Sequence, residues 1–97
     1  MKVIGRKKLE DFCKGRPDAE KNLGAWHSEA KHANWKTPHE VEKMYGAATI
    51  LRNSRAVFKI CGNKYRLIVK INYGLHIVEI RFMGTHKEYD RINAEEI

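Results

Sequence analysis

The sequence is almost without cysteine: it has only Cys13 and Cys61, and they form no Cys-x-x-Cys or other spaced cluster. That excludes a disulfide scaffold and a cysteine-built zinc site, although a single bridge stays open. The simpler reading is two buried, reduced thiols in a cytosolic protein. No apolar run approaches the ~20 residues of a membrane span. The opening Met1-Lys2-Val3-Ile4-Gly5-Arg6 lacks the apolar centre of a secretion signal, so a cytoplasmic location without membrane partners is expected. There is no P-loop, no Gly-x-Gly-x-x-Gly and no nucleophile elbow, so no nucleotide or other cofactor is expected. His27 and His32 are five apart and do not share a helix face. His-Ser-Glu-Ala-Lys-His is not His-Glu-x-x-His, and His39 and His76 have no evident partners; metal catalysis is not expected. Internal repeats, linkers and low-complexity stretches are also missing.

Acidic residues are scarce too. The chain has 97 residues, with 19 Lys and Arg against 12 Asp and Glu, for a net charge of +7. One domain spanning 1–97 is expected from that length. At 42% hydrophobic there is enough apolar bulk for a core. The positive excess favours a polyanionic partner, because each cation near a phosphate releases condensed counterions.

Along the chain the hydrophobic period changes once, from 3.6 to 2. Val3 and Ile4 suggest a short opening strand. Leu9, Phe12 and Cys13 fall at helical spacing, and Gly15-Arg16-Pro17 breaks that helix. Pro17 suits the first turn of a second helix, with Asp18 and Glu20 at its positive end and Leu23, Trp26, Ala30 and Ala33 as its stripe. Thr37-Pro38 reads as a cap followed by proline, opening a short helix through Val41, Met44 and Tyr45 that Gly46 closes. Strands are then predicted over 48–51, 56–61, 65–73 and 76–83, with turns at Asn53-Ser54, Gly62-Asn63 and Gly74. Short turns between successive strands predict an antiparallel meander. Thr-His-Lys-Glu at 85–88 is a capping-box pattern for a last helix through Ile92. The expected class is α+β, with N-terminal helices on one face of an antiparallel sheet and a short C-terminal helix.

Strand alternation sorts the side chains by face. Tyr65, Leu67, Val69, Ile71 and Tyr73 share one face, with Phe58, Ile60, His76, Val78, Ile80 and Phe82. The other face carries Lys59, Arg66, Lys70 and Arg81, with Ile68, Asn72, Ile77, Glu79 and Met83. From Gly46 to Val78 there are six basic residues (Arg52, Arg55, Lys59, Lys64, Arg66, Lys70) and no acidic one. Like charges on one sheet face repel, and a phosphate backbone would offset that cost. The bland alternative is a solvated face that uses lysine to protect sheet edges. Arg66 and Lys70 fall in what reads as a central strand, where edge protection is not needed.

Gly-Asn-Lys-Tyr-Arg-Leu-Ile-Val-Lys-Ile (62–71), followed by Ile-Arg-Phe-Met-Gly-Thr-His-Lys-Glu-Tyr-Asp (80–90), resembles the HigB family of toxins in the RelE superfamily of bacterial type II toxin–antitoxin systems. The resemblance extends over the whole chain in length and element order. It implies a RelE-like fold and an mRNA endonuclease acting on ribosome-bound messages. It also implies a cognate antitoxin of the HigA type, a helix-turn-helix protein that neutralises the toxin and represses its operon; DNA is met only through that complex. By the same resemblance, Lys59 matches a basic position on the strand before the long one and Arg66 the arginine of the Tyr-Arg strand. Tyr89 approximates a C-terminal tyrosine. His86 or Lys87 falls near a position often held by arginine.

Such a reaction needs groups that move two protons and steady a phosphoryl charge. Arg66 is assigned to the scissile phosphate, because its planar fork suits two oxygens. Lys59 adds charge, and acts as a base if crowding by cations lowers its pKa. His86 is an acid or base candidate by residue type. Tyr89 orients or stacks on the nucleotide, or donates a proton. Arg55, Lys64 and Lys70 grip flanking backbone, and Asn63, Arg81 and Lys87 complete the binding set. The sequence leaves open which group is base and which acid. Structural alternatives stand beside these roles: Arg66 paired with Glu79 across strands, His86 and Lys87 merely exposed, Tyr89 packed on the sheet edge. Trp26, Trp35, Tyr65 and Tyr73 read as core. A non-catalytic RNA- or ribosome-binding module using the same basic face is the competing function, and a structural subunit needing a protein partner is a third.

Overall fold

A computed structural model describes residues 1–97. Its elements run β1 (Lys2–Ile4), α1 (Arg6–Cys13), α2 (Pro17–His32), α3 (Pro38–Met44), β2 (Thr49–Ile50), β3 (Arg55–Ile60), β4 (Tyr65–Asn72), β5 (Ile77–Thr85) and α4 (His86–Tyr89). The predicted caps form. Thr37 accepts from the Glu40 N–H, and Pro38 opens α3. Thr85 and Glu88 make both bonds of a capping box. The last helix ends at Tyr89, short of the expected Ile92. Met44, read as part of an apolar stripe, lies exposed at the end of α3. The α+β class holds, and no helix is long and apolar enough to cross a membrane.

The sheet corrects the meander. Its strand order is β1-β5-β4-β3-β2. β2 through β5 pair antiparallel as expected, but β1 returns to lie parallel to β5, making the sheet mixed. Gly5 permits the exit from β1: its φ is +83°, and a Cβ there would sit 3.0 Å from the Ile80 carbonyl oxygen.

A second correction comes from a β-bulge. Ile68 pairs with Phe82 and Val69 with Ile80, so Arg81 is the inserted residue. One extra residue reverses alternation beyond it. Phe82 therefore leaves the helix side and packs with Ile68, while Met83 joins the main core. Both were expected on the opposite faces.

The helices cover one face. There, 16 buried residues form the main core. Phe58 lies at its centre, with its ring centroid 5.4 Å from that of Trp26, 6.4 Å from Trp35 and 5.1 Å from Tyr45. Trp26, Trp35 and Tyr65 are buried in this core, and Tyr73 packs against it. Cys13 and Cys61 are free thiols, half-buried rather than enclosed.

The second face is not bare. Chain beyond α4 folds back across it, so that Ala94 is buried on Val57 and Ile68, with Tyr89, Ile92 and Ile97 packed around them. This small cluster divides the basic face into a covered end and an open end.

Candidate nucleic-acid interface

The β3–β4 pairing builds the open end. Lys59 stands directly opposite Arg66, and Arg55 opposite Lys70. Side chains facing each other this way have Cβ atoms roughly 4.5–5.5 Å apart, so the Lys59 and Arg66 side chains leave the sheet side by side. On the other side of β4, Arg66 is opposite Gly84. Gly84 is buried, and a Cβ there would come 2.5 Å from Phe82 Cζ and 3.2 Å from Glu88 Oε1. The missing side chain leaves room for the Phe82 ring beside Arg66.

Arg66 is only 6% exposed. Its Nη1 donates to the carbonyl oxygens of Asn63 (3.0 Å) and Tyr65 (3.3 Å), and its Nη2 to Asn63 Oδ1 (2.6 Å). All three acceptors are neutral. Glu79, the alternative partner, pairs instead with Arg81 at 2.8 Å. A guanidinium carries five N–H groups, so two remain after these three bonds. The side chain is fixed in place with its charge uncompensated by any carboxylate.

α4 adds an aromatic ring and an imidazole. The Tyr89 ring centroid is 5.8 Å from Arg66 Cζ, at the limit of a cation–π contact. His86 follows two residues after Gly84, and its Nδ1 lies 3.1 Å from Asp90 Oδ2. With Nδ1–H donated to that carboxylate, Nε2 is the ring's free acceptor. The capping box holds the start of α4 in place. The Thr85 backbone N–H donates to Glu88 Oε1 at 2.9 Å, and that bond keeps the Glu88 carboxyl below its ordinary range. Lys87 is exposed on the same helix.

The remaining basic residues are directed elsewhere. Lys64 turns to the helix side, where its Nζ donates to Asp18 Oδ2 at 2.7 Å; Asp18 also accepts from the Tyr65 hydroxyl. That bond raises the Lys64 pKa and lowers that of Asp18. Arg55 is buried, donating to the main-chain oxygens of Asn53 (2.7 Å) and Ile97 (2.8 Å). Arg81 Nε also donates to the Ile97 main-chain oxygen, at 3.1 Å. Lys70 lines an open hollow with Glu95 and Glu96. It is four residues along β4 from Arg66, roughly 13 Å at 3.3 Å per residue. Asn63 holds Arg66 instead of projecting freely.

Lys59, Arg66, Asn63 and Tyr89 are thus brought together, with His86 on the adjoining helix. Arg55, Lys70 and Arg81 form a separate group under the C-terminal segment, and Lys64 belongs to neither. The sequence reading missed two contributors, Asp90 and Gly84. Asp90 is legible as the partner four residues after His86 on a helix. Gly84 has no local signal, because its role depends on which residue lies opposite.

Among curated proteins none matches this chain. The family model for HigB toxins, the RelE-like toxic component of a toxin-antitoxin system, matches residues 19–92, a span that takes in β3, β4, β5 and α4. The chain belongs to the HigB toxin family.

Proposed function

We propose that this toxin is an endoribonuclease that cuts mRNA at the Arg66 end of its second sheet face, on translating ribosomes and without a metal. The observation that carries this reading is the Arg66 guanidinium, buried, immobilised by neutral acceptors and unpaired with any carboxylate. Burying an unpaired cation costs several kcal/mol. A phosphate is the ligand whose charge and geometry offset that cost.

In this mechanism the two free N–H groups of Arg66 hold the scissile phosphate, and the Lys59 ammonium opposite adds a second positive charge. The RNA's own 2′-oxygen attacks phosphorus and the bond to the 5′-oxygen breaks, giving a 2′,3′-cyclic phosphate and a 5′-hydroxyl. The RNA supplies the nucleophile, so no activated water is required. His86 Nε2 accepts the 2′-hydroxyl proton, with Asp90 steadying the imidazolium through Nδ1. Lys59 returns a proton to the leaving oxygen. Positioned proton transfers of this kind give typically 10²–10⁴-fold each. Tyr89 packs against the small second cluster and offers its ring to a flanking base. Asn63 acts through Arg66, as a positioning residue. Lys87, exposed beside His86, reaches the flanking backbone. Lys70, exposed at the other end of the face, grips flanking RNA phosphates, and Arg55 and Arg81 add positive charge beneath the C-terminal segment. The partners are mRNA, the ribosome and a HigA-type antitoxin, and the setting is the cytoplasm.

Arg66→Ala is expected to abolish growth inhibition on induced expression while the purified variant keeps its circular dichroism. Inhibition that survives the substitution would remove Arg66 from the reaction. Binding to RNA that is salt-sensitive but leaves no new ends would favour a non-catalytic module on the same face.

A further inference from the structure

A second basic region lies away from the Arg66 end, on the far edge of the sheet. An open cleft of about 900 Å³ is lined by Lys2, Arg6, His27, Lys31, Leu75 and His76 among others, with no carboxylate in its wall. The Arg6 guanidinium pairs with Glu10 at 3.6 Å, but both side chains are largely exposed, so water and salt screen that contact. His27 registers the local potential: its pKa is lowered by partial burial first, and then by Arg6 and Lys31.

This cleft runs beside a free strand. β1 ends the sheet and pairs only with β5. The Lys2 N–H donates to the His76 carbonyl oxygen at 2.7 Å, so Lys2 and Ile4 turn their backbone groups toward β5. By the alternation of a parallel ladder, Val3 turns its N–H and C=O outward. Only three large hydrophobic side chains are exposed in the molecule, and two of them flank this edge: Leu75 at 69% and Ile4 at 38%.

We infer that the β1 edge and its cleft form a docking site for an extended, acidic segment of a partner polypeptide, added as a further strand. The outward backbone groups of Val3 give the main-chain bonds, the cationic wall selects carboxylates, and Leu75 and Ile4 meet apolar side chains at alternate positions. A nucleic acid would use the charges and leave the strand edge and both apolar side chains unused. A second copy of this +7 chain is opposed by its own charge. The inference does not depend on the reaction proposed for Arg66.

The test is a ¹⁵N–¹H titration of the full chain with a blocked decapeptide of alternating Glu and Val. A Lys-Val decapeptide and a ten-nucleotide oligouridylate run in parallel. The Glu-Val peptide is expected to shift the amides of Val3, Ile4, Lys31, Leu75 and His76, and the Lys-Val peptide none of them. Lys2 and Lys31 are both exposed, so their joint replacement by Glu leaves the fold intact and is expected to weaken binding at least tenfold. The inference is overturned if millimolar Glu-Val peptide leaves these amides unmoved. It is equally overturned if the shifts gather around Arg66, or if oligouridylate moves the β1-edge amides at lower concentration than the peptide.

Discussion

Replacing Arg66 with methionine separates structural from functional need at the proposed site. Met fills much of the arginine stem's space without its charge. The substitution removes three hydrogen bonds to neutral acceptors. Two of those acceptors belong to Asn63, an exposed residue whose oxygens can rebind water. The bond to the Tyr65 carbonyl is buried. Losing that charge-assisted bond costs about 1.5–3 kcal/mol. Against this, the variant no longer buries a cation that has no carboxylate partner, and that penalty is several kcal/mol. The two terms nearly cancel, so Arg66→Met should fold with stability within about 1 kcal/mol of the parent, a Tm change of roughly 4–8 °C or less for a domain of this size. Cleavage should be lost. Urea denaturation gives the first quantity and RNA end-mapping the second. A loss of more than about 3 kcal/mol would refute the reasoning, because it would make Arg66 a structural arginine that folding cannot spare.

Three further outcomes follow from the packing and the caps. Gly84→Ala drives a methyl against the Phe82 ring; the expected cost is about 1–3 kcal/mol with impaired cleavage, and an unchanged urea midpoint would show that the ring is not confined. Phe58→Ala empties the centre of the helix-side aromatic cluster; a loss of about 3–5 kcal/mol is expected by chemical denaturation, with less than 1 kcal/mol counting against that placement. The Glu88 carboxyl has a folded pKa below its ordinary 4.5. Its cap therefore stabilises α4 fully above that value and is lost as pH falls through the folded one. The protection factor of the Thr85 amide, which donates to the Glu88 carboxyl, should fall on acidification below about pH 4.5, and a Glu88→Gln variant should lack that step.

Much of this fold was legible because its signals are local. Thr37-Pro38 and the Thr85–Glu88 box each declare a helix start within four residues. Antiparallel neighbours joined by short turns made β3, β4 and β5 readable, and so placed Lys59 and Arg66 on one face. What was not legible depends on chain that is remote in sequence. The parallel return of β1 to β5 leaves no mark in Val3 or Ile4. The bulge at Arg81 reversed Phe82 and Met83, since strict alternation presumes an unbroken ladder. The largest gap was the segment 93–97, whose mixed apolar and acidic residues carry no period. Only its packing on Val57 and Ile68 explains why Arg55 and Arg81 meet main-chain oxygens. The Lys64–Asp18 pair was not legible for a related reason: its two residues lie 46 apart in sequence.

The central claim is cleavage of translated mRNA at Arg66, and primer extension on a model message in a translating extract tests it most directly. The unaltered protein should produce new 5′ ends within codons, only while translation proceeds, and Arg66→Ala should produce none. Absence of new ends from the unaltered protein, or equal ends from both proteins, would contradict it.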